Sequence, residues 1–205
     1  MIYFIVTTSI FDDCPVRKAQ YTLGIAMLNK TLHDLHIENC KVVVVENNGK
    51  RRTLLDELGF EVLYTNNNFL PGSSKGYKEL HDILDCIKQY NILDTDFIVK
   101  LTGRYILHEN SEFMNVIKYI HETKYDCVIR YGPFYRPVNY KMDDCITGLV
   151  GMSCRYVKQI ENPVGEEPVE WKWGRVTRLI DDSKIHLVGT LGINICPTCN
   201  TYFPV

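Results

Sequence analysis

Short unbroken apolar runs alternate with helix-like repeats along this chain, and that alternation sets the expected fold. Ile2 to Val6 is continuously apolar, as a strand buried on both faces requires. After a polar loop, Tyr21, Ile25, Leu28 and Leu32 recur at helical spacing and share one face. Lys41 to Val45 is β-branched and too short for a helix. It stops at Glu46-Asn47-Asn48-Gly49, where Asn-Gly favours a tight turn. A short helix is expected from Arg52 to Leu58 with Gly59 as its stop, then a strand from Glu61 to Thr65. The loop from Asn66 to Lys75 leads into a helix with Tyr77, Leu80, Ile83, Leu84 and Ile87 on its apolar face. Gly76 then stands at the start of that helix, where free backbone N–H groups and the helix dipole favour an anion. The next strand begins at Asp96 and runs into Thr102-Gly103-Arg104-Tyr105.

Beyond Tyr105 the pattern predicts a helix around Phe113 to His121. Strands follow near Asp126 to Tyr131 and Cys145 to Met152, with a proline-containing connection between them. Glu166-Glu167-Pro168 opens a final helix reaching about Arg178, and Lys184 to Ile195 reads as a last strand or strand pair. Alternating strands and helices predict an α/β fold, a mostly parallel sheet flanked by helices. No internal repeat, linker or low-complexity tract interrupts residues 1–205, so a single domain is expected.

Composition narrows the function classes. At 205 residues the chain can bury a substantial core, and 45% hydrophobic with 23% charged residues is a soluble globular balance. A net charge of -2 and a pI near 6.3 give no electrostatic case for binding nucleic acid or an acidic membrane. Lys50-Arg51-Arg52 reads as a solvated helix start. Met1 to Val6 lacks a positive leader and is followed at once by polar residues, so it is expected to be a strand, not a signal peptide or membrane span.

The eight cysteines are scattered, and Cys86, Cys127 and Cys145 sit in apolar runs, which predicts reduced, buried thiols. Only Cys196-Pro197-Thr198-Cys199 has a spacing that could pair or share zinc, and it lacks a second pair or histidines. None of the histidines has metal-ligand spacing. There is no nucleophile elbow, P-loop or Gly-x-Gly-x-x-Gly fingerprint, which weighs against hydrolase, kinase and dehydrogenase readings.

In open parallel sheets ligands bind at the carboxyl ends of strands. Three predicted strand ends are polar together: Thr7-Thr8-Ser9, Glu46-Asn47-Asn48-Gly49 and Thr102-Gly103-Arg104. On these segments the chain resembles a glycosyltransferase of the GT-A fold, similar to the large family-2 group, over nearly its whole length. The resemblance implies a nucleoside diphosphate sugar as donor and a glycan as acceptor. It implies that Thr7, Thr8, Ser9, Glu46 and Asn47 meet the nucleoside. Asn67, Asn68, Lys75 and Gly76 match the family's Asn/Gly loop and the helix start behind it. Residues 1–105 would form the donor half and 106–205 the acceptor half.

The family's strand ending in Asp-x-Asp binds metal and diphosphate, but here Thr102-Gly103-Arg104 stands in that place. An arginine can neutralise a leaving diphosphate with a fixed charge and a bidentate fork. Arg104 is therefore the expected diphosphate ligand, with Thr102 and Gly103 beside it and Lys75 or Lys100 as helpers. No metal cofactor is then required; the alternative is Mn or Mg on Asp143 and Asp144. Asp94 and Asp96 form a literal Asp-Thr-Asp, yet they precede their strand and lie at its wrong end for a ligand. A Lys-Leu-Thr-Gly-Arg-Tyr segment also resembles small glycosyltransferases of bacterial polysaccharide clusters and some large DNA viruses. With no membrane span expected and reduced thiols predicted, a cytoplasmic protein is expected, in the host cytosol if viral.

Inverting members use a late acidic residue as base. Glu170-Trp171-Lys172-Trp173 puts a carboxylate beside both tryptophans, whose faces pack on the C–H side of sugars. Glu170 is the expected general base, Trp171 and Trp173 the acceptor platform, and Glu166 and Glu167 the fallback bases. Two rivals stay open: a noncatalytic nucleotide-sugar-binding module, since Asp-x-Asp is missing, and a nucleotidyltransferase. Thr7 to Asp13 lacks the Gly-rich basic loop the latter needs. A redox or zinc protein centred on Cys196 and Cys199 is a third reading.

Overall fold

The apolar runs become the strands of one large sheet. The computed structural model describes residues 1–11, 14–71, 74–133, 135–198 and 201–205, and for 197, 198 and 201 the backbone only. In chain order the first half holds β1 (Ile2–Thr8), α1 (Pro15–Asp34), β2 (Cys40–Glu46), β3 (Glu61–Tyr64), α2 (Lys75–Gln89) and β4 (Phe97–Thr102). The second half holds β5 (Ile106–Leu107), α3 (Glu112–Lys118), α4 (Ile120–Thr123), β6 (Cys127–Ile129), β7 (Leu149–Ser153) and α5 (Cys154–Val157). It ends with α6 (Val169–Val176), β8 (Ile185–Leu187), β9 (Ile193–Thr198) and β10 (Thr201–Pro204).

Seven strands pair in the order β3-β2-β1-β4-β7-β6-β8. β1 runs parallel to β2 and β4, β2 to β3, and β6 to β8; only β7 runs antiparallel to its neighbours β4 and β6. A second, antiparallel sheet has the order β10-β9-β5. No helix among the described residues is long and apolar enough to cross a membrane.

Strand alternation divides the core into two layers. Phe97, Val99 and Leu101 of β4 pack in one cluster with Tyr21, Ile25 and Leu28 of α1 and Phe113 and Ile117 of α3. Ile98 belongs to the opposite cluster, with Leu80, Ile83 and Ile87 of α2 and Val169, Trp173 and Val176 of α6. Lys100 follows the parity of Ile98, on the face where that second layer gives way to a cavity.

Several boundaries differ from expectation for identifiable reasons. The helix expected from Arg52 to Leu58 is a single 3₁₀ turn, Leu54–Glu57, capped when the Thr53 hydroxyl accepts from Leu55 N and Thr53 N donates to Asp56. Gly59, at φ +78, ends it. The helix expected through His121 breaks at Tyr119. The strand expected from Cys145 begins only at Leu149, because Cys145 to Gly148 line the cavity instead. The final helix is confined to Val169–Val176, and α5 has no counterpart in the expected pattern.

Candidate active site

A cavity of about 420 Å³ opens at the carboxyl ends of β1 and β4 and is closed by α2, the start of α6 and β9. Of the residues singled out in the sequence, Thr7, Thr8, Ser9, Asn47, Asn68, Lys75, Gly76, Lys100, Thr102, Arg104 and Glu170 lie on its wall. Arg17, Lys78, Glu79, Asp82 and Thr147 join them. Five basic side chains thus face three carboxylates, which suits an anionic ligand.

The end of β4 carries an ammonium group in the cavity. Lys100 is buried, and its Nζ donates to Thr147 O at 2.6 Å, Thr102 Oγ1 at 2.8 Å and Glu79 Oε1 at 2.9 Å. A divalent cation needs several oxygens, commonly carboxylates, around one point. The side chains here do not fit such an ion, because the lysine itself brings the positive charge. Among the described residues no group of three or more His, Cys, Asp or Glu side chains could hold a metal.

Glu46, expected at the nucleoside, is instead wholly enclosed and does not line the cavity. Its carboxylate accepts from Thr8 Oγ1 at 2.8 Å, Ile10 N at 3.1 Å, Asn48 Nδ2 at 2.7 Å and Arg51 at 3.4 Å. It therefore fastens the loop after β1 to the loop after β2. Tyr21 braces the same loop from α1, its hydroxyl accepting from Ser9 N at 2.9 Å, and burial pushes that phenol up to about 12. Asn47 lies on the cavity wall, and its Oδ1 is buried without a hydrogen-bond partner among the described residues.

Asn47 is tied by its Nδ2 to Asp82, which is fully buried and also accepts from Thr65 Oγ1 at 2.7 Å and Asn67 Nδ2 at 2.9 Å. Burial pushes the Asp82 carboxyl up to about 6 from 3.8, against the pull of those three donors. The folded chain therefore holds this proton more tightly than the unfolded chain. The stabilisation is complete below pH ~3.8 and lost as the pH rises through about 6, roughly 3 kcal/mol in all. Urea unfolding between pH 4 and 7 is expected to show this decline in the wild type and not in Asp82→Asn. Equal slopes would remove Asp82 as its source.

Arg104 lies on the cavity wall, where its guanidinium donates to the Cys196 carbonyl and rests 5.6 Å from the Tyr105 ring centre. Glu109, a surface carboxylate near it in sequence, pairs with Lys30 instead. Gly103, expected among the donor ligands, is not on the wall. Its N–H donates to Thr7 O at 2.9 Å, and an added Cβ would lie 2.9 Å from Val6 and 3.0 Å from Thr8. Its smallness lets the turn after β4 lie against β1.

Where α2 meets α6, Gly76 leaves a notch that the Val169 side chain fills, so the two helices approach closely and Glu170 comes to the cavity wall. The Thr147 hydroxyl reaches Glu170 Oε1 at 3.4 Å. The tryptophan expectation fails, because Val169, Trp173 and Val176 recur on the inward face of α6. Trp173 is 2% exposed in the core, and Trp171, at 41%, points outward with Arg175 stacked 5.7 Å from its ring. Neither lines the cavity. Glu167 pairs with Lys172 and Arg175, and Glu166 is exposed away from the site.

Of the fallback metal ligands, neither Asp143 nor Asp144 lines the cavity, and the Asp143 carboxylate is paired elsewhere. Asp143 bridges Arg175 at 2.9 Å and Arg178 at 2.5 Å, and its backbone carbonyl packs against Gly174. Asp144 accepts from Gly132 N through its backbone carbonyl. Asp96 closes a turn by accepting from Leu93 N and from the N-terminal amine, while Asp94 pairs with Lys158. The Cys196 sulfur accepts from Gln20 Nε2 at 3.0 Å, and Cys199 lies outside the described residues.

Glu79 and Asp82 escaped the sequence reading, although Lys75, Glu79 and Asp82 recur at i, i+4 and i+7. That stripe runs along the edge of the apolar face of α2 and was the available signal.

No family model and no curated protein matches the sequence. Solved structures do match in shape. A protein of Desulfovibrio desulfuricans G20 assigned as a nucleotide-diphospho-sugar transferase superposes with a TM-score of 0.51 at 13% identity, covering 91% of this chain and 79% of that one. The fold is that of the nucleotide-diphospho-sugar transferases. The mannosyltransferase PcManGT of Pyrobaculum calidifontis, solved with GDP-Man and Mn²⁺, superposes with a TM-score of 0.50 at 8% identity. It covers 92% of this chain, which spans 56% of that enzyme's length. In this transferase fold the cavity stands where the sheet's carboxyl edge meets the start of α2.

Proposed function

We propose that this chain is a glycosyltransferase that moves a hexose-type sugar from a nucleoside diphosphate to a glycan acceptor, by a single displacement with inversion. The observation that carries this reading is the ammonium of Lys100 at the carboxyl end of β4, with Arg104 and Lys75 on the same cavity wall. Thr7, Thr8, Ser9 and Asn47 form the nucleoside edge, residues 1–105 supply the donor half, and residues 106–205 the acceptor half. Charge that develops on the leaving diphosphate is met by fixed cations, so no metal ion is required. Glu170 takes the acceptor's hydroxyl proton as the new glycosidic bond forms and the bond to the diphosphate breaks.

A thermal-shift screen against nucleoside diphosphate sugars, with and without Mn²⁺, tests the reading. At least one donor is expected to raise the melting temperature in EDTA, and Arg104→Ala is expected to abolish that shift. Stabilisation that appears only with Mn²⁺ would sink the metal-free mechanism, and an unaltered shift in the variant would remove Arg104 from the diphosphate. Donor binding without donor hydrolysis or transfer would leave a noncatalytic binding module.

A further inference from the structure

A single oxygen at the floor of the cavity is the focus of three donors. Glu79 Oε1 receives the Thr7 hydroxyl at 2.5 Å, the Lys100 ammonium at 2.9 Å and the Thr102 hydroxyl at 3.4 Å. These donors come from the adjacent ends of β1 and β4, and Lys100, with 2% of its side chain exposed, cannot turn away to solvent. The carboxylate that sits there is different in kind. Glu79 is carried on the cavity side of α2, keeps 24% exposure, and its other oxygen makes no hydrogen bond among the described residues.

An ammonium and two hydroxyls converging on an anionic oxygen are the donor set that a phosphate oxygen takes. We infer that this seat binds one phosphate group of the donor's diphosphate, and that Glu79 is its resident occupant, displaced when the ligand arrives. The inference rests on the glycosyltransferase reading for the identity of the ligand. The seat explains how a buried lysine is tolerated in the free protein, since its charge is compensated at all times. It also gives product release a driving element, because the carboxylate returns as the diphosphate leaves.

Calorimetric titration with inorganic pyrophosphate in EDTA tests the seat without requiring knowledge of the base or sugar. Glu79→Gln keeps an amide oxygen for the Thr7 and Thr102 hydroxyls but removes the competing charge. It is expected to bind pyrophosphate about tenfold more tightly than the wild type. The double variant Glu79→Gln with Lys100→Met carries a neutral pair, so it avoids an unpaired buried charge, and it is expected to bind more weakly than the wild type. Equal or weaker pyrophosphate binding by Glu79→Gln overturns the inference.

The two readings separate cleanly. If nucleoside diphosphate sugars stabilise the wild type while Glu79→Gln gains nothing for pyrophosphate, the seat falls and the transferase reading stands. If pyrophosphate behaves as expected and no nucleoside diphosphate sugar binds, the seat stands and the transferase reading falls.

Discussion

Replacing Glu170 by Gln is expected to lower kcat by a factor of about 10²–10⁴ and to leave donor affinity unchanged. Glutamine preserves the shape of the side chain and an oxygen for the Thr147 hydroxyl, which reaches Glu170 at 3.4 Å. It cannot take a proton. Val169, seated in the notch at Gly76, fixes the first turn of α6, so the substitution changes chemistry without moving the helix. The measurement is kcat alongside donor affinity with a turned-over donor and acceptor. A variant as fast as the wild type would remove Glu170 from proton transfer and leave Glu79 as the partly exposed carboxylate on the wall.

The strand framework was legible because buried parallel strands are written as apolar runs. Ile2–Val6, Lys41–Val45 and Phe97–Leu101 need no long-range information to be read as strands. Their ends were legible for the same reason: polarity that interrupts such a run at its carboxyl end marks the ligand edge, and Thr7, Thr102 and Arg104 do line the cavity. Which polar residue faces the cavity was not legible. Glu46 and Lys100 are both charged residues near strand ends. One became an enclosed brace and the other a cavity cation, according to which neighbouring loops folded over them.

The second half resisted reading where tertiary contacts decide local structure. Trp171 and Trp173 lie two apart in an eight-residue helix, and two helical steps of about 100° turn them to different faces. Which one turns inward depends on the register set by Val169 against Gly76, a contact between segments nearly a hundred residues apart. The small sheet of β5, β9 and β10 depends in the same way on pairing across distance, such as Ile106 with Asn194. Glu79 was missed because a helical carboxylate is ordinarily solvated, and only the approach of β1 and β4 gives it partners.

Gly24→Ala is expected to destabilise the chain by about 2 kcal/mol or more and to weaken donor binding at the same time. In an ordinary helix interior the substitution would stabilise by about 0.5–1 kcal/mol. Here the new methyl would press into the Gly103 carbonyl and come within 2.8 Å of the Tyr105 carbonyl. Both obstacles are backbone atoms, so no side-chain rotation relieves them, and overpacking of this kind outweighs the helical gain. Nor can the turn simply retreat. Gly103 N is bonded to Thr7 O at 2.9 Å, and Gly103 already lies against Val6 and Thr8. Either α1 moves away from the sheet or the turn carrying Arg104 tilts, and both disturb the cavity wall proposed to meet the diphosphate. Urea unfolding and donor titration of the same variant measure the two effects together. Wild-type stability with wild-type affinity would mean that the contact between Gly24 and Gly103 does not position Arg104, and that the small sheet, through the Cys196 carbonyl, holds it alone.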